Sequence, residues 1–271
     1  MIEAFFNYQF VRYAVIAGFF AAILAGIIGV TINEKKMGIM AGGIAHASYG
    51  GIGLAFLINI EPFIGALVFA VITALSVGHI KNSMTGMKDI LISMFWSVGM
   101  ALGVIFIALK PGYPPNITSY LFGNILAVTT TDLIFIGAVA IVILLFTVAF
   151  FQEIKAHLFD RELLVIKQRN IHLQEQLTML FTAFAVVALS RVVGIILVIA
   201  LVSIPAATSG LFTKNLKNRM IFSSVFTFVS MLIGLTISYY SDLPSGASIV
   251  VFSFIAYLIS RVVKSHLLKK A

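Results

Sequence analysis

Residues 10–32 read FVRYAVIAGFFAAILAGIIGVTI and contain one charged side chain, Arg12. A helix needs about 20 predominantly apolar residues to cross the roughly 30 Å hydrocarbon core of a bilayer. Further apolar segments lie at about 37–58, 62–80, 89–109, 130–151, 176–190, 192–213, 219–240 and 243–263. The sequence therefore predicts an all-α, polytopic membrane protein with about nine transmembrane helices. Eight is the alternative, because the two segments beside Arg191 form one apolar stretch that a single broken helix would also explain.

The composition of the whole chain agrees with this class. Of the 271 residues, 61% are hydrophobic and 10% are charged, whereas soluble chains average about 45–50% apolar and about 25% charged residues. So much apolar surface needs a nonaqueous surrounding, which excludes a secreted or soluble enzyme and a disordered scaffold. We expect one transmembrane domain over 1–271. The chain has no cysteine, so disulfides and thiolate ligands are excluded.

The net charge of +8 is explained by membrane topology. With the N-terminus outside and nine crossings, every lysine and arginine except Arg12, Lys110 and Arg191 falls on the inner side. This distribution satisfies the positive-inside rule and indicates contact with anionic lipid rather than nucleic acid. We therefore expect a multi-pass protein of the bacterial inner membrane.

Two loops carry structure of their own. The outer loop 110–129 contains a short apolar piece, which predicts a re-entrant or interfacial helix. The inner segment at about 152–176 is charged but has an apolar stripe, which predicts a short amphipathic helix along the inner face. The stripe consists of Leu158, Phe159, Leu163, Leu164 and Ile166. By itself this pattern fits a surface linker and a docking element for a cytoplasmic partner equally well.

His46 is the deepest ionisable residue of the predicted spans. It lies about ten residues into the segment 37–58, ~15 Å along the helix and near the bilayer midplane. Gly42, Gly50 and Gly53 share its helix face, and Ser48 is close in sequence. An ionisable group at this depth is a functional candidate, and neutral imidazole is a common metal ligand. The glycines admit either a close neighbouring helix or a solute beside the imidazole.

The sequence gives little support for proton coupling, for ATP binding by this chain or for hydrolysis within the membrane. Glu61, Asp132 and Asp242 fall near the outer boundary and Asp89 near the inner one, so no carboxylate is placed at the midplane as a proton relay. The chain has no phosphate-binding loop of the type Gly-x4-Gly-Lys-Ser/Thr, so an ATP-driven process requires another polypeptide. The motifs of an intramembrane hydrolase are also missing.

Three stretches resemble the permease subunits of bacterial ABC importers for divalent metals, the zinc/manganese/iron group. They are AGGIAHASYGGIGLAF at 41–56, VGIILVIALVSIPAAT at 193–208 and SYYSDLPSGASIV at 238–250. The resemblance implies a homodimer of permeases, two cytoplasmic ABC ATPase subunits and an extracytoplasmic metal-binding protein. It also implies that a divalent metal is the substrate, that this chain binds no cofactor, and that ATP binds the partner subunit.

The same resemblance suggests roles for single residues. His46 matches the histidine of the family's signature helix and becomes a transient ligand of the metal pathway. Asp160 and Glu162 match the acidic start of the segment that contacts the ATPase, and Pro205 matches a helix kink near the inner side. Gly42, Ser48, Gly50 and Pro205 are further candidates for the pathway.

One position departs from the family pattern. The signature has an aspartate four residues before the histidine, where this chain has Gly42. Because manganese prefers oxygen ligands and imidazole suits zinc and iron, the lost carboxylate favours zinc or iron as the substrate. It also leaves room for a metal chelate. The remaining alternatives are an ATP-independent carrier or channel, which predicts buried acids or an inverted repeat, and a structural membrane protein in which His46 only packs.

Overall fold

The structure is a computed structural model, and it describes residues 2–79, 85–112, 117–166, 168 and 170–270. These residues form helices and connecting turns, with no β-strand among them. The α-helices are α1 (Ile2–Asn7), α2 (Gln9–Glu34), α3 (Gly38–Leu57), α4 (Pro62–His79), α5 (Thr85–Leu109), α6 (Ile117–Phe122), α7 (Thr130–Ala149), α8 (Phe151–Phe159), α9 (Arg161–Ile166), α10 (Ile171–Val193), α11 (Val198–Phe212), α12 (Leu216–Ser241) and α13 (Ser245–Lys270). Of the inner charges used for the topology, Lys81, Lys167 and Arg169 lie outside the described residues.

The predicted all-α membrane fold is confirmed. Eight helices of the described chain are long and apolar enough to cross a bilayer. The additional crossing, predicted at 192–213, corresponds to α11. This helix has only 15 residues and therefore a length of about 22 Å. It begins beside the outer segment that contains Tyr120 and ends close to the inner end of α12. Both predicted counts thus describe one arrangement, with eight full-length helices and one shorter helix.

The outer loop contains the predicted short helix, α6, followed by a 3₁₀ helix at Ile125–Ala127. This segment packs against the turn between α10 and α11, where the amide of Ile195 donates to the Tyr120 carbonyl at 3.1 Å. Gly123 and Gly194 have φ of +68° and +88°, and a Cβ on either would overlap the backbone of the other segment. The short α11 begins three residues after this contact, at Val198.

The inner segment differs from the prediction of one amphipathic helix. It forms two short helices, α8 and α9, that are separated at Asp160. The Asp160 carboxylate accepts a hydrogen bond from the Leu163 amide at 3.2 Å and so caps α9. The chain turns there, which distributes the apolar stripe over two helices: Leu164 is buried, whereas Phe159 and Ile166 are exposed.

Ion pairs connect helix ends on both sides of the bundle. On the outer side, Arg191 of α10 contacts Glu61 at 2.7 Å and Asp132 at 3.2 Å. On the inner side, Arg219 of α12 pairs with Glu34 at the end of α2. These contacts join helix ends at the two opposite ends of the bundle, which the charge distribution predicts to be the outer and the inner side.

The helix α3 is the central element, because nearly all of its residues are buried. A Cβ at Gly50 would lie 2.9 Å from the Gly99 carbonyl of α5, and one at Gly51 would overlap the backbone of Gly65 in α4. Small residues at crossing points allow this close approach of backbones, as is usual for helices in membranes. His46 therefore lies on a helix that is enclosed by its neighbours.

Candidate functional site

The His46 imidazole is enclosed between α3 and α5, with 7% of the residue exposed. Its Nδ1 lies 3.3 Å from the Sδ of Met100. Its ring stacks on the Trp96 indole, with ring centroids 4.2 Å apart and an interplanar angle of 12°. Trp96 and Met100 are four residues apart and therefore project from the same face of α5. Two side chains of one helix thus fix the position of the imidazole.

Gly42 lies on the same face of α3, one turn before His46. A Cβ there would overlap the side chain of Ile199 from α11 and would lie 3.1 Å from the Trp96 ring. The place of the family's carboxylate is therefore filled by apolar groups. The His46 imidazole contacts a thioether and an indole, and no carboxylate of the described residues is paired with it.

The remaining candidates on α3 are distributed over different contacts. Gly50 faces α5 at the crossing with Gly99, as the predicted glycine face requires. Ser48 is buried, and its hydroxyl donates to the Ala45 carbonyl of its own helix at 2.6 Å. Because Ser48 follows His46 by two residues, the helix turns it away from the imidazole. The structure brings Gly42, His46 and Gly50 to one face and does not add Ser48 to it.

The candidates outside α3 belong to α11 and to the inner segment. Pro205 is buried inside α11, and the helix continues through it to Phe212. Asp160 and Glu162 are exposed at the start of α9 on the inner side. Their position is compatible with contact to a cytoplasmic partner.

Sequence reasoning missed Trp96 and Met100. Both lie in the apolar segment 89–109, where single aromatic and thioether side chains look like ordinary lipid-facing or core residues. One available signal was that Trp96 is the only tryptophan of the chain. Its four-residue spacing from Met100 was another, but neither signal identifies His46 as the partner.

A buried charge cluster on the inner side was also missed. Glu175 of α10 contacts the Nζ of Lys35 at 2.6 Å, the Nζ of Lys88 at 3.0 Å and the Nε2 of His157 at 3.2 Å. All four side chains are at most 6% exposed. The cluster joins α2, α5, α8 and α10, so it connects the cytoplasmic helix α8 to the helix that carries Trp96 and Met100.

The described residues contain no group of three or more histidine, aspartate or glutamate side chains arranged to hold a metal. What His46 and Met100 offer is one nitrogen and one sulfur donor. Such a pair suits brief contact with a passing ion better than stable storage, because a transport pathway must also release its solute.

Among the described residues, eight helices that are long and apolar enough to cross a bilayer define a polytopic membrane protein. It is a multi-pass protein of the bacterial inner membrane. The model of the family described as "ABC 3 transport family" matches residues 7–264. The chain therefore belongs to this family of ABC transporter permeases, which confirms the resemblance seen in the sequence.

Similar proteins agree in length and fold. The chain is 32% identical to a "probable metal transport system membrane protein" of Chlamydia trachomatis, covering 93% of this chain and 88% of the relative. It is 31% identical to the manganese transport system membrane protein MntC of Listeria monocytogenes, covering 96% and 92%. The solved structure of PsaBC from Streptococcus pneumoniae in complex with Fab has a TM-score of 0.85 and 32% identity, covering 96% of this chain and 93% of that one.

Proposed function

We propose that this chain is the membrane permease of an ATP-driven importer for a divalent metal ion. The proposal rests on one observation above the others: in a chain of this permease family, His46 and Met100 place a nitrogen and a sulfur donor 3.3 Å apart inside the bundle. The names of the relatives, which are metal or manganese transport proteins, support the substrate class.

The partners follow from the family and from this chain's sequence. Two permease chains form a homodimer, two ABC ATPase subunits bind on the cytoplasmic side, and an extracytoplasmic metal-binding protein delivers the ion. ATP hydrolysis belongs to the ATPase, because this chain has no phosphate-binding loop. The permease is therefore a transport subunit and not itself an enzyme.

Transport requires α3 and α5 to move relative to each other. The imidazole is stacked and enclosed in this conformation, so an ion reaches it only when Trp96 or Met100 withdraws. Nucleotide binding to the ATPase shifts the chain between an outward-open and an inward-open state, because nucleotide binds those states with different affinity.

The donor atoms favour zinc or iron over manganese as the substrate. Manganese prefers carboxylate, carbonyl and water ligands, whereas imidazole and thioether are softer donors. Gly42 supplies no carboxylate, and Ile199 fills its place. This chain thus differs in its donor set from the family signature, which has an aspartate four residues before the histidine.

The test is the metal content of cells grown at trace metal, measured by elemental mass spectrometry. Cells with the intact chain are compared with deletion cells and with the variants His46→Ala and Ser48→Ala. We expect zinc or iron to fall several-fold in the deletion and His46→Ala cells. Ser48→Ala is the matched control, since its hydroxyl bonds its own helix, and it should preserve uptake.

The other outcomes are equally decisive. A fall in manganese alone would support the permease and overturn the preference for zinc or iron. Loss of a metal in the deletion but not in His46→Ala cells would remove His46 from the pathway. If no metal changes in any strain, the metal-import proposal fails.

A further inference from the structure

Two histidines outside the proposed pathway meet at the inner ends of their helices. His79 is the last residue of α4, and His172 is the second residue of α10. Their ring centroids are 5.2 Å apart, and the rings are nearly perpendicular, with an interplanar angle of 81°. Both residues are exposed, so ions on the cytoplasmic side reach them.

The spacing of the rings matches a shared metal ion. Zinc lies about 2.0–2.1 Å from a histidine nitrogen in tetrahedral sites, so two imidazoles on one ion have centroids roughly 5 Å apart. The observed 5.2 Å is close to this value, and a shared ion requires the rings to turn from their edge-to-face contact.

A neighbouring amide supports one of the rings. The Gln176 Nε2 lies 3.4 Å from the Nδ1 of His79. With the amide in this orientation its Nε2 donates to Nδ1, which leaves the ring hydrogen on Nε2 of His79. A half-turn of the amide presents Oε1, which has no hydrogen-bond partner, to an Nδ1–H group and leaves Nε2 of His79 for a metal, as the outer shell of metal sites commonly does. Gln176 lies one helical turn after His172, so α10 supplies both a ligand and the support for its partner ligand.

We propose that His79 and His172 form a second, cytoplasmic metal site. It takes a divalent ion that accepts imidazole ligands, with Zn²⁺ as the typical case, and water completes the coordination. A site with two protein ligands binds weakly, so it fills when metal is in excess on the inner side. Because the bound ion joins α4 to α10, it restrains movement between these helices and slows further import. This role as a brake rests on the proposed function, whereas the site itself does not.

The site is tested by zinc binding to the purified, metal-free chain in detergent, measured by isothermal titration calorimetry. We expect one Zn²⁺ equivalent to be lost in His172→Ala and in His79→Ala, and to remain in His46→Ala. Mn²⁺ should not compete for this equivalent, because it binds imidazole poorly. Melting temperatures of the variants show that they are folded, which is expected for exposed positions. Unchanged zinc binding by both His172→Ala and His79→Ala would overturn the site.

A spectroscopic measurement identifies the ligands independently of affinity. Co²⁺ added to His46→Ala should show the visible absorption of a tetrahedral nitrogen-ligated ion, and this signal should vanish when His172→Ala is added. Persistence of the signal in the double variant would assign the ion to other residues and contradict the proposal.

The brake is tested with the complete transporter in vesicles of phosphatidylethanolamine and phosphatidylglycerol. Zinc enclosed with the cytoplasmic face should slow uptake by the intact chain, and the same zinc level should have no effect on His79→Ala/His172→Ala. His46→Ala reports on the pathway separately. If His46→Ala transports normally while His172→Ala loses the zinc equivalent, the proposed pathway fails and the second site stands. Equal slowing of intact and double-variant transporters would overturn the brake.

Discussion

The surroundings of His46 are decided by a few side chains from two other helices. Trp96 and Met100 of α5 hold the imidazole, and Ile199 of α11 fills the space beside Gly42. Gly42 and Ile199 therefore form a complementary pair, in which the missing side chain of one makes room for the other. Because protein interiors are closely packed, we expect a substitution at either position to displace the side chains around His46.

This complementarity predicts how a carboxylate can be restored. Gly42→Asp alone should abolish uptake, because its Cβ overlaps Ile199 and over-packing typically costs about 1–3 kcal/mol. Gly42→Asp combined with Ile199→Ala makes room for the carboxylate beside His46. We expect this double variant to regain uptake and to shift its preference toward manganese, as measured by competition between manganese and zinc in tracer uptake.

Ile199→Ala alone is the control for this experiment. It makes the space without the carboxylate and should leave the order of metal preference unchanged. A double variant that transports but keeps the original preference would show that the ligand set at Gly42 and His46 does not select the metal.

At the scale of elements, Glu175 holds four helices together on the inner side. Its carboxylate is shared by Lys35 at the C-cap of α2, Lys88 of α5 and His157 of α8. Lys88 belongs to the same helix as Trp96 and Met100, so a displacement of α8 reaches the His46 site through a continuous helix. The cluster thus provides a physical route between the cytoplasmic helices and the pathway.

Removal of this carboxylate should destabilise the protein strongly. Glu175→Gln leaves two buried ammonium groups without their shared counter-ion, and breaking a buried ion pair costs about 3–5 kcal/mol. We expect a clear fall in the melting temperature of the purified protein, measured by intrinsic fluorescence. Adding Lys88→Met should recover part of the loss, because one of these charges is then removed.

The exposed acid Glu162 supplies the matched control. Glu162→Gln should change stability by no more than about 0.5 kcal/mol, as is usual for surface positions. A melting temperature of Glu175→Gln equal to that of Glu162→Gln would show that the cluster does not hold these helices together.

For the whole molecule, the exposed start of α9 is the proposed contact with an ATPase subunit. Asp160 also stabilises the start of α9, because its carboxylate caps the helix by accepting a hydrogen bond from the Leu163 amide. A loss of binding after a change at Asp160 therefore has two possible causes, lost charge or a lost cap, and the choice of substitution separates them.

We expect Asp160→Asn and Glu162→Gln together to reduce recovery of the ATPase in co-purification several-fold. Asparagine caps helices about as well as aspartate, so this variant removes charge and keeps the cap. Asp160→Ala removes both, at a further cost of about 1 kcal/mol. Recovery that is normal in the Asn/Gln variant and reduced only in Asp160→Ala would assign Asp160 to helix capping alone.

The sequence by itself determined the class and the order of the spans, and it predicts their orientation. Apolar runs of membrane length and the distribution of lysine and arginine are local properties, because each span satisfies its own backbone hydrogen bonds whatever surrounds it. The shared face of Gly42, His46 and Gly50 followed from helical periodicity in the same way. The turn at Asp160 divides the inner segment into two helices. The sequence did not predict this turn, because its apolar stripe was interpreted as one continuous helix.

Only the tertiary structure decided which groups meet. Trp96 and Met100 lie about 50 residues from His46 in sequence, and the Lys35–Glu175 pair is separated by 140. The packing of helices against α3 depends on how the glycine faces of α3, α4 and α5 fit together. The apolar residues of each span would allow it to pack against several different helices. The side chains around His46, the Glu175 cluster and the His79–His172 pair are therefore products of helix packing, which no local pattern in the chain encodes.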